Sequence, residues 1–347
     1  MAWLLLVAAL VVILLGAELF TNGVEWIGEG FGLSEGAVGS VLAAVGTALP
    51  ETLLPLVAII SGHASGEEIG VGAILGAPFM LTTLAMVVIA VSVLSTARGG
   101  QRSTDLAFDV EVIGQDFGYF LVMYMLAVVA GLLNLKAFDY ALVVVLVVGY
   151  AYYVRRHFQT PSEEELEKEA QGEIKPLRLW TALRRVRRSL SPWTTNRSTA
   201  APFVQVGIAL GLILAGAEIF IGSVSTIADR FGVSPLAFSL LVAPVATELP
   251  EKFNSVIWIR QRKDTLALGN MTGAMVFQSS FPVSIGLLLT QWKLGGTALV
   301  AALIALIAGS ALWLQVRFRG RLTGRLLLFQ GVFYVGYVGY VITRLKA

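Results

Sequence analysis

Residues 47–51 read Thr-Ala-Leu-Pro-Glu and residues 247–251 read Thr-Glu-Leu-Pro-Glu, each inside a long apolar stretch, 36–61 and 235–259. Working outward, Phe31-Gly32-Leu33-Ser34 matches Phe231-Gly232-Val233-Ser234 at the same offset of 200. So does Leu14-Leu15-Gly16-Ala17-Glu18-Leu19-Phe20 with Leu214-Ala215-Gly216-Ala217-Glu218-Ile219-Phe220. Gly72 and Gly76 then match Gly269 and Gly273 at an offset of 197, which a three-residue deletion in one loop explains. Three blocks at one offset define an internal duplication. Apolar segments read as spans at about 3–27, 36–61, 68–95, 117–135, 138–154, 202–228, 235–259, 264–290, 294–316 and 324–343. Five spans separate equivalent positions, and an odd number of crossings reverses direction. The expected fold is therefore an all-α membrane protein of ten transmembrane helices in two inverted five-helix repeats. Spans 2, 3, 7 and 8 carry Gly, Pro and polar residues and are expected to be broken. Inverted repeats with interrupted helices suit a transporter holding its substrate where the repeats meet.

Composition agrees. The 347 residues are 56% hydrophobic and 14% charged, against roughly 25% charged in a typical soluble domain. Mean hydropathy is +0.78. The absence of cysteine excludes disulfides, thiolate catalysis and zinc–sulfur sites. The two histidines, His63 and His157, fall in expected loops and argue against a His-based metal centre or haem. Met1–Ala17 resembles a signal peptide but lacks a basic start and recurs as a repeat element, so it reads as part of span 1.

Basic residues set the expected topology. Nineteen of the twenty-five Lys and Arg fall in the gaps after spans 3, 5, 7 and 9, five fall on the opposite side, and Lys252 lies within span 7. Both termini are thus expected outside and the central loop in the cytoplasm, in a cell (inner) membrane. The halves divide as 1–154 (spans 1–5) and 202–347 (spans 6–10), joined by the loop 155–201. In that loop Leu179, Leu183, Val186 and Leu190 share a helical face with arginines opposite. This is either a helix lying on the anionic inner leaflet or a solvated linker. Adjacent Glu163, Glu164 and Glu165 would not converge on one helix face, which argues against a regulatory Ca2+ site there.

Thr47 and Glu51 are four apart, as are Thr247 and Glu251, so each pair shares a helix face. Pro50 and Pro250 remove an N–H and leave the carbonyls of Gly46 and Ala246 without a helix partner, which in a bilayer must meet something polar. Carboxylates, hydroxyls and freed carbonyls form an all-oxygen set suited to hard cations, Ca2+ above all, with Glu248 adding a carboxylate beside it. The simpler reading is that the prolines only kink helices and the glutamates face water. Two symmetric intramembrane carboxylates, each costly if unpaired, favour the cation site. Lys252, four residues after Glu248, either neutralises it in an ion pair or supplies the charge of a counter-ion. Glu18 and Glu218 are expected to brace the broken helices.

The Gly-Thr-x-Leu-Pro-Glu signature, with Gly16-Ala17-Glu18 and Gly269-Asn270 followed by Gly273, resembles the calcium/cation antiporter superfamily, and within it the prokaryotic-type sodium/calcium exchanger family. The resemblance covers nearly the whole chain. It implies alternating-access exchange with Ca2+ held between the Thr-Glu pairs of spans 2 and 7. The chain departs from the family pattern at Ala48 and Glu248, where serine usually follows the threonine. It departs again at Gly76-Ala77-Pro78 and Gly273-Ala274-Met275, where Gly-Ser-Asn is favoured, and at Leu81 and Gln278. Thr82, Thr83, Ser279 and Ser280 lie nearby but out of register. The implied central Ca2+ ligands survive and the flanking sodium ligands are thinned, so the counter-ion is Na+ or H+.

The expected activity is thus secondary-active Ca2+ antiport by a monomer, with the lipid bilayer and inorganic cations as its only partners. No nucleic acid, organic cofactor or enzyme chemistry is expected. A cation channel, an intramembrane hydrolase and a non-transporting relative are the competing classes. No nucleophile–base set supports the hydrolase.

Overall fold

The computed structural model describes residues 1–30, 49–100, 102–157, 177–178 and 200–345. These are helical apart from short connections. In chain order the helices are α1 Ala2–Gly30, α2 Leu49–Ile60, α3 Gly66–Thr82, α4 Leu84–Arg98, α5 Val110–Leu133, α6 Lys136–His157 and α7 Ala200–Phe231. They continue with α8 Pro235–Thr247, α9 Leu249–Arg260, α10 Asp264–Gln278, α11 Phe281–Leu289, α12 Gly296–Arg319, α13 Gly324–Phe329 and α14 Gly331–Leu345. With α3–α4, α10–α11 and α13–α14 each taken as one path, eight helices among the described residues are long and apolar enough to cross a membrane, and Pro50–Ile60 and Pro235–Val245 are shorter apolar helices. His157 closes α6 rather than lying in a loop. The reading of residues 158–176 and 179–199 lies outside the described residues.

α1 and α7 cross at glycines. A methyl group on Gly16 would sit 2.7 Å from Ile213 Cγ1, and one on Gly216 would sit 2.7 Å from Ile13 Cγ1. The contact is reciprocal at the offset of 200. Gly23 faces Pro202 and Val206, so the helices run antiparallel. Small residues let backbones approach where lipid offers no competing hydrophobic gain.

The second close approach sets α3 along α8. Cβ atoms added to Gly72 and Gly76 would fall 2.4 Å from Leu236 O and 2.3 Å from Leu240 O. Pro244 cannot donate to the Leu240 carbonyl, which Gly76 meets instead. Ser239 Oγ donates to Ile69 O across the same seam at 2.8 Å. Gly76→Ala is expected to force these backbones apart and destabilise the protein by about 1–3 kcal/mol. Thermal unfolding in detergent measures this, and an unchanged transition would show that the seam can open without cost.

The breaks come where polar residues can satisfy the loosened backbone. α3 gives way to α4 at Thr83, whose Oγ1 donates to Phe79 O at 2.6 Å, while Thr82 Oγ1 donates to Pro78 O at 2.8 Å. α10 ends at Ser279 and Ser280, whose hydroxyls donate to Val276 O at 2.9 and 3.0 Å. Hydroxyls returned to the preceding turn make such breaks tolerable in lipid. A further break, at Gln330 between α13 and α14, was not expected.

The loops interlock by the same symmetry. Asp264, opening α10, receives Arg102 Nη1 at 2.8 Å and Ala107 N at 2.8 Å. Its counterpart Glu67, in the first turn of α3, receives Gln291 N at 2.9 Å. The connection after each broken path is thus tied to the start of its equivalent.

Candidate cation site

Glu51 and Glu251 each lie in the first turn of a helix, α2 and α9, that opens Leu-Pro-Glu. Proline suits a first turn, because its missing N–H would have had no partner there. The aligned N–H groups also favour a carboxylate at that end. Pro250 therefore starts a helix rather than kinking one: the backbone leaves helical geometry at Glu248, with φ −89° and ψ 7°. Ala246 lies in the last turn of α8, and Pro250 has no N–H to offer its carbonyl. Gly46 and Thr47 lie outside the described residues. Thr247 is buried and its Oγ1 donates to Ala243 O at 3.2 Å.

The structure brings Glu51, Glu248, Glu251 and Lys252 together. All four are buried, between 1% and 7% exposed. Glu51 is within electrostatic reach of Glu251, Glu248 and Lys252. Lys252 Nζ donates to Glu248 Oε2 at 2.9 Å and to Pro244 O at 3.3 Å. This is the i,i+4 pair expected from the sequence, and it spans the break between α8 and α9. Among the described residues, both oxygens of Glu51, Oε2 of Glu251 and Oε1 of Glu248 are buried without a hydrogen-bond partner. A buried carboxylate left this way costs at least a few kcal/mol, a deficit a bound cation removes. No three His, Asp or Glu side chains among the described residues form a ready-made metal centre. Two carboxylates within electrostatic range of one another supply charge, and further oxygens have to come from neighbouring backbone and hydroxyl groups.

Asn270, part of the resemblance above, holds α9 on α10. Its Nδ2 donates to Glu251 O at 3.1 Å and to Ser255 Oγ at 3.2 Å. Ala77 is buried and Ala274 half-buried. Gln278 is buried with Oε1 unpartnered among the described residues. Thr82, Thr83, Ser279 and Ser280 give their protons to the breaks and keep lone pairs.

Sequence reasoning missed Asp116. It is 1% exposed, two turns into α5, and receives Tyr153 OH at 3.0 Å and Thr272 Oγ1 at 2.5 Å. The signal was Asp109, whose side chain caps Glu111 N and Val112 N and so starts α5 seven residues before the expected 117. Among the described residues, Glu18 and Glu218 make no contact with the breaks. They pair with Arg178 at 2.7 Å and His63 at 3.2 Å, in half-exposed contacts worth little on their own.

Comparison with known proteins follows the same outline. The family described as sodium/calcium exchanger protein matches residues 1–158 and 201–346. CaxA of Alkalimonas amylolytica, a candidate antiporter, is 26% identical over 344 residues, covering 97% of each chain. The inner membrane protein YrbG of Escherichia coli K12 is 20% identical over 339 residues, covering 94% of this chain and 93% of its own. The crystal structure of an H+/Ca2+ exchanger, CAX, superposes with a TM-score of 0.70 at 14% identity, over 99% of this chain and 87% of that one. The sodium-calcium exchanger NCX_Mj gives 0.55 at 19% identity, over 97% of each. At these identities the two structures speak for the fold.

Proposed function

The chain belongs to the sodium/calcium exchanger protein family, and from that membership we propose that it is a secondary-active antiporter exchanging Ca2+ for Na+ across the membrane by alternating access. The observation that carries the reading is the pair of buried carboxylates at equivalent positions of the two repeats, with both oxygens of Glu51 and Oε2 of Glu251 lacking a hydrogen-bond partner among the described residues. They serve as the anionic ligands. Thr47, Thr247, the carbonyls of Gly46 and Ala246, and the free oxygen of Glu248 complete the shell. The distribution of Lys and Arg supports a multi-pass inner-membrane protein with both termini outside and the central loop in the cytoplasm.

A second reading, H+ as counter-ion, is favoured by Ala77 and Ala274, which offer no side-chain oxygen where flanking sodium ligands would stand. Sodium needs a cage of several oxygens, whereas one carboxylate can carry a proton. The test is Ca2+ uptake into liposomes under a Na+ gradient and then under a pH gradient. Uptake that saturates and needs a counter-ion on the far side supports exchange, and flux that needs none favours a channel. Ala77→Ser with Ala274→Ser is expected to raise Na+-driven uptake severalfold. Tight, saturable Na+ coupling in the native protein, indifferent to pH, would overturn the proton reading and the role given to these positions.

A further inference from the structure

At the offset of 200, Glu248 and Lys252 of the second half stand where the first half has Ala48 and Thr52. One repeat has thus gained an acid and a base together, one helical turn apart. The two are buried in contact, with Lys252 Nζ 2.9 Å from Glu248 Oε2 and 3.3 Å from Pro244 O. A lysine stem is long enough to reach toward water, yet this ammonium is turned inward onto a carboxylate and a main-chain carbonyl, the kinds of oxygen a sodium ion would take. We infer that Lys252 acts as a tethered monovalent cation that fixes the charge of the translocation site at −2, so that each Ca2+ exchanges for two monovalent cations and no net charge crosses the membrane.

The inference rests on the exchange reading above and adds to it a charge count. Among the described residues, the charges acting on Glu51 are those of Glu251, Glu248 and Lys252. Asp116 is separate, held by Tyr153 and Thr272. Three carboxylates and one ammonium leave two negative charges. An uncompensated charge in the membrane interior is expensive, so the loaded forms that cross readily are the neutral ones. One divalent ion meets that condition, as do two monovalent ions. A third monovalent ion would leave a positive charge uncovered. Without Lys252 the site would stand at −3, and Ca2+ would need a monovalent companion.

The test uses the full-length protein in liposomes. With the potential set by K+ and valinomycin, the Ca2+ accumulation ratio of the native protein should be unchanged between 0 and −100 mV, where one net charge per turnover would shift it about 50-fold. External Na+ should compete with Ca2+ and inhibit uptake. In Lys252→Gln, measured in choline medium, external Na+ should instead stimulate Ca2+ uptake severalfold, because it fills the vacated place. Glu248→Gln/Lys252→Gln removes both charges at nearly constant volume and should return to Na+ inhibition and indifference to potential. Potential-dependent accumulation by the native protein or the double variant overturns the charge count while leaving exchange intact. Na+ inhibition of an active Lys252→Gln does the same. Should Lys252→Gln be inactive, the other two proteins decide. Absence of Ca2+ flux in the native protein under every gradient overturns the exchange reading and this inference with it.

Discussion

Glu51→Gln and Glu251→Gln are each expected to lower Ca2+ flux by on the order of 100-fold or more, since affinity for a hard divalent ion follows the number of charged ligands. Each substitution keeps the side-chain volume and removes half of the charge that faces the ion. Stability without cations should hold or rise, because Glu51 and Glu251 are buried like charges in mutual range and the change relieves their repulsion. This is the behaviour of a site kept poor in internal partners for the sake of function. Flux assays and thermal unfolding of the same preparations separate the two effects. Near-normal flux in either variant would remove the ion from between these helix starts, and a large loss of stability would make the carboxylate structural.

Lys252→Ala should have the largest effect on stability. Removing one partner of a buried pair strands the other, at a cost of about 3–5 kcal/mol. Glu248 is 1% exposed and its Oε1 has no partner among the described residues, so nothing in that set can take over from the ammonium. Glu248→Ala/Lys252→Ala should recover much of the loss, and a double-mutant cycle reads the coupling directly. Additive effects would mean that the 2.9 Å contact contributes nothing to folding.

Much of this was legible in the sequence, for reasons that particular residues make plain. The repeat fixed which positions are equivalent, and the breaks in spans 3, 7 and 8 fall at the Thr, Glu and Ser residues of the interrupted stretches. The i,i+4 spacing of Glu248 and Lys252 needed only helical geometry. Asp116 was hidden because Glu111, Gln115 and Asp116 dilute the hydropathy at the start of α5, so the apolar run begins after the helix does. Pro50 and Pro250 were seen, but proline alone does not say whether a helix bends or begins. That depends on what precedes it, and Glu248 precedes it with a non-helical ψ. The partners of Glu18 and Glu218 lie far off in sequence, and no local pattern announces them. The Gln330 break has neither a proline nor a repeat equivalent to mark it.

The reciprocal crossing of α1 and α7 bears on ancestry. Contact of residue i with j, matched by contact of the equivalent of i with the equivalent of j, is the rule for two identical subunits about a two-fold axis. Gly16 on Ile213 and Gly216 on Ile13 still obey it within one polypeptide. Such a surface is self-complementary before any linker joins its copies. The two halves of this chain therefore fit one another, upside down, as the subunits of a two-fold homodimer would. Within one polypeptide the copies also differ, Ala48 and Thr52 in one half standing where the other has Glu248 and Lys252. In a dimer of identical genes that ion pair would have appeared twice.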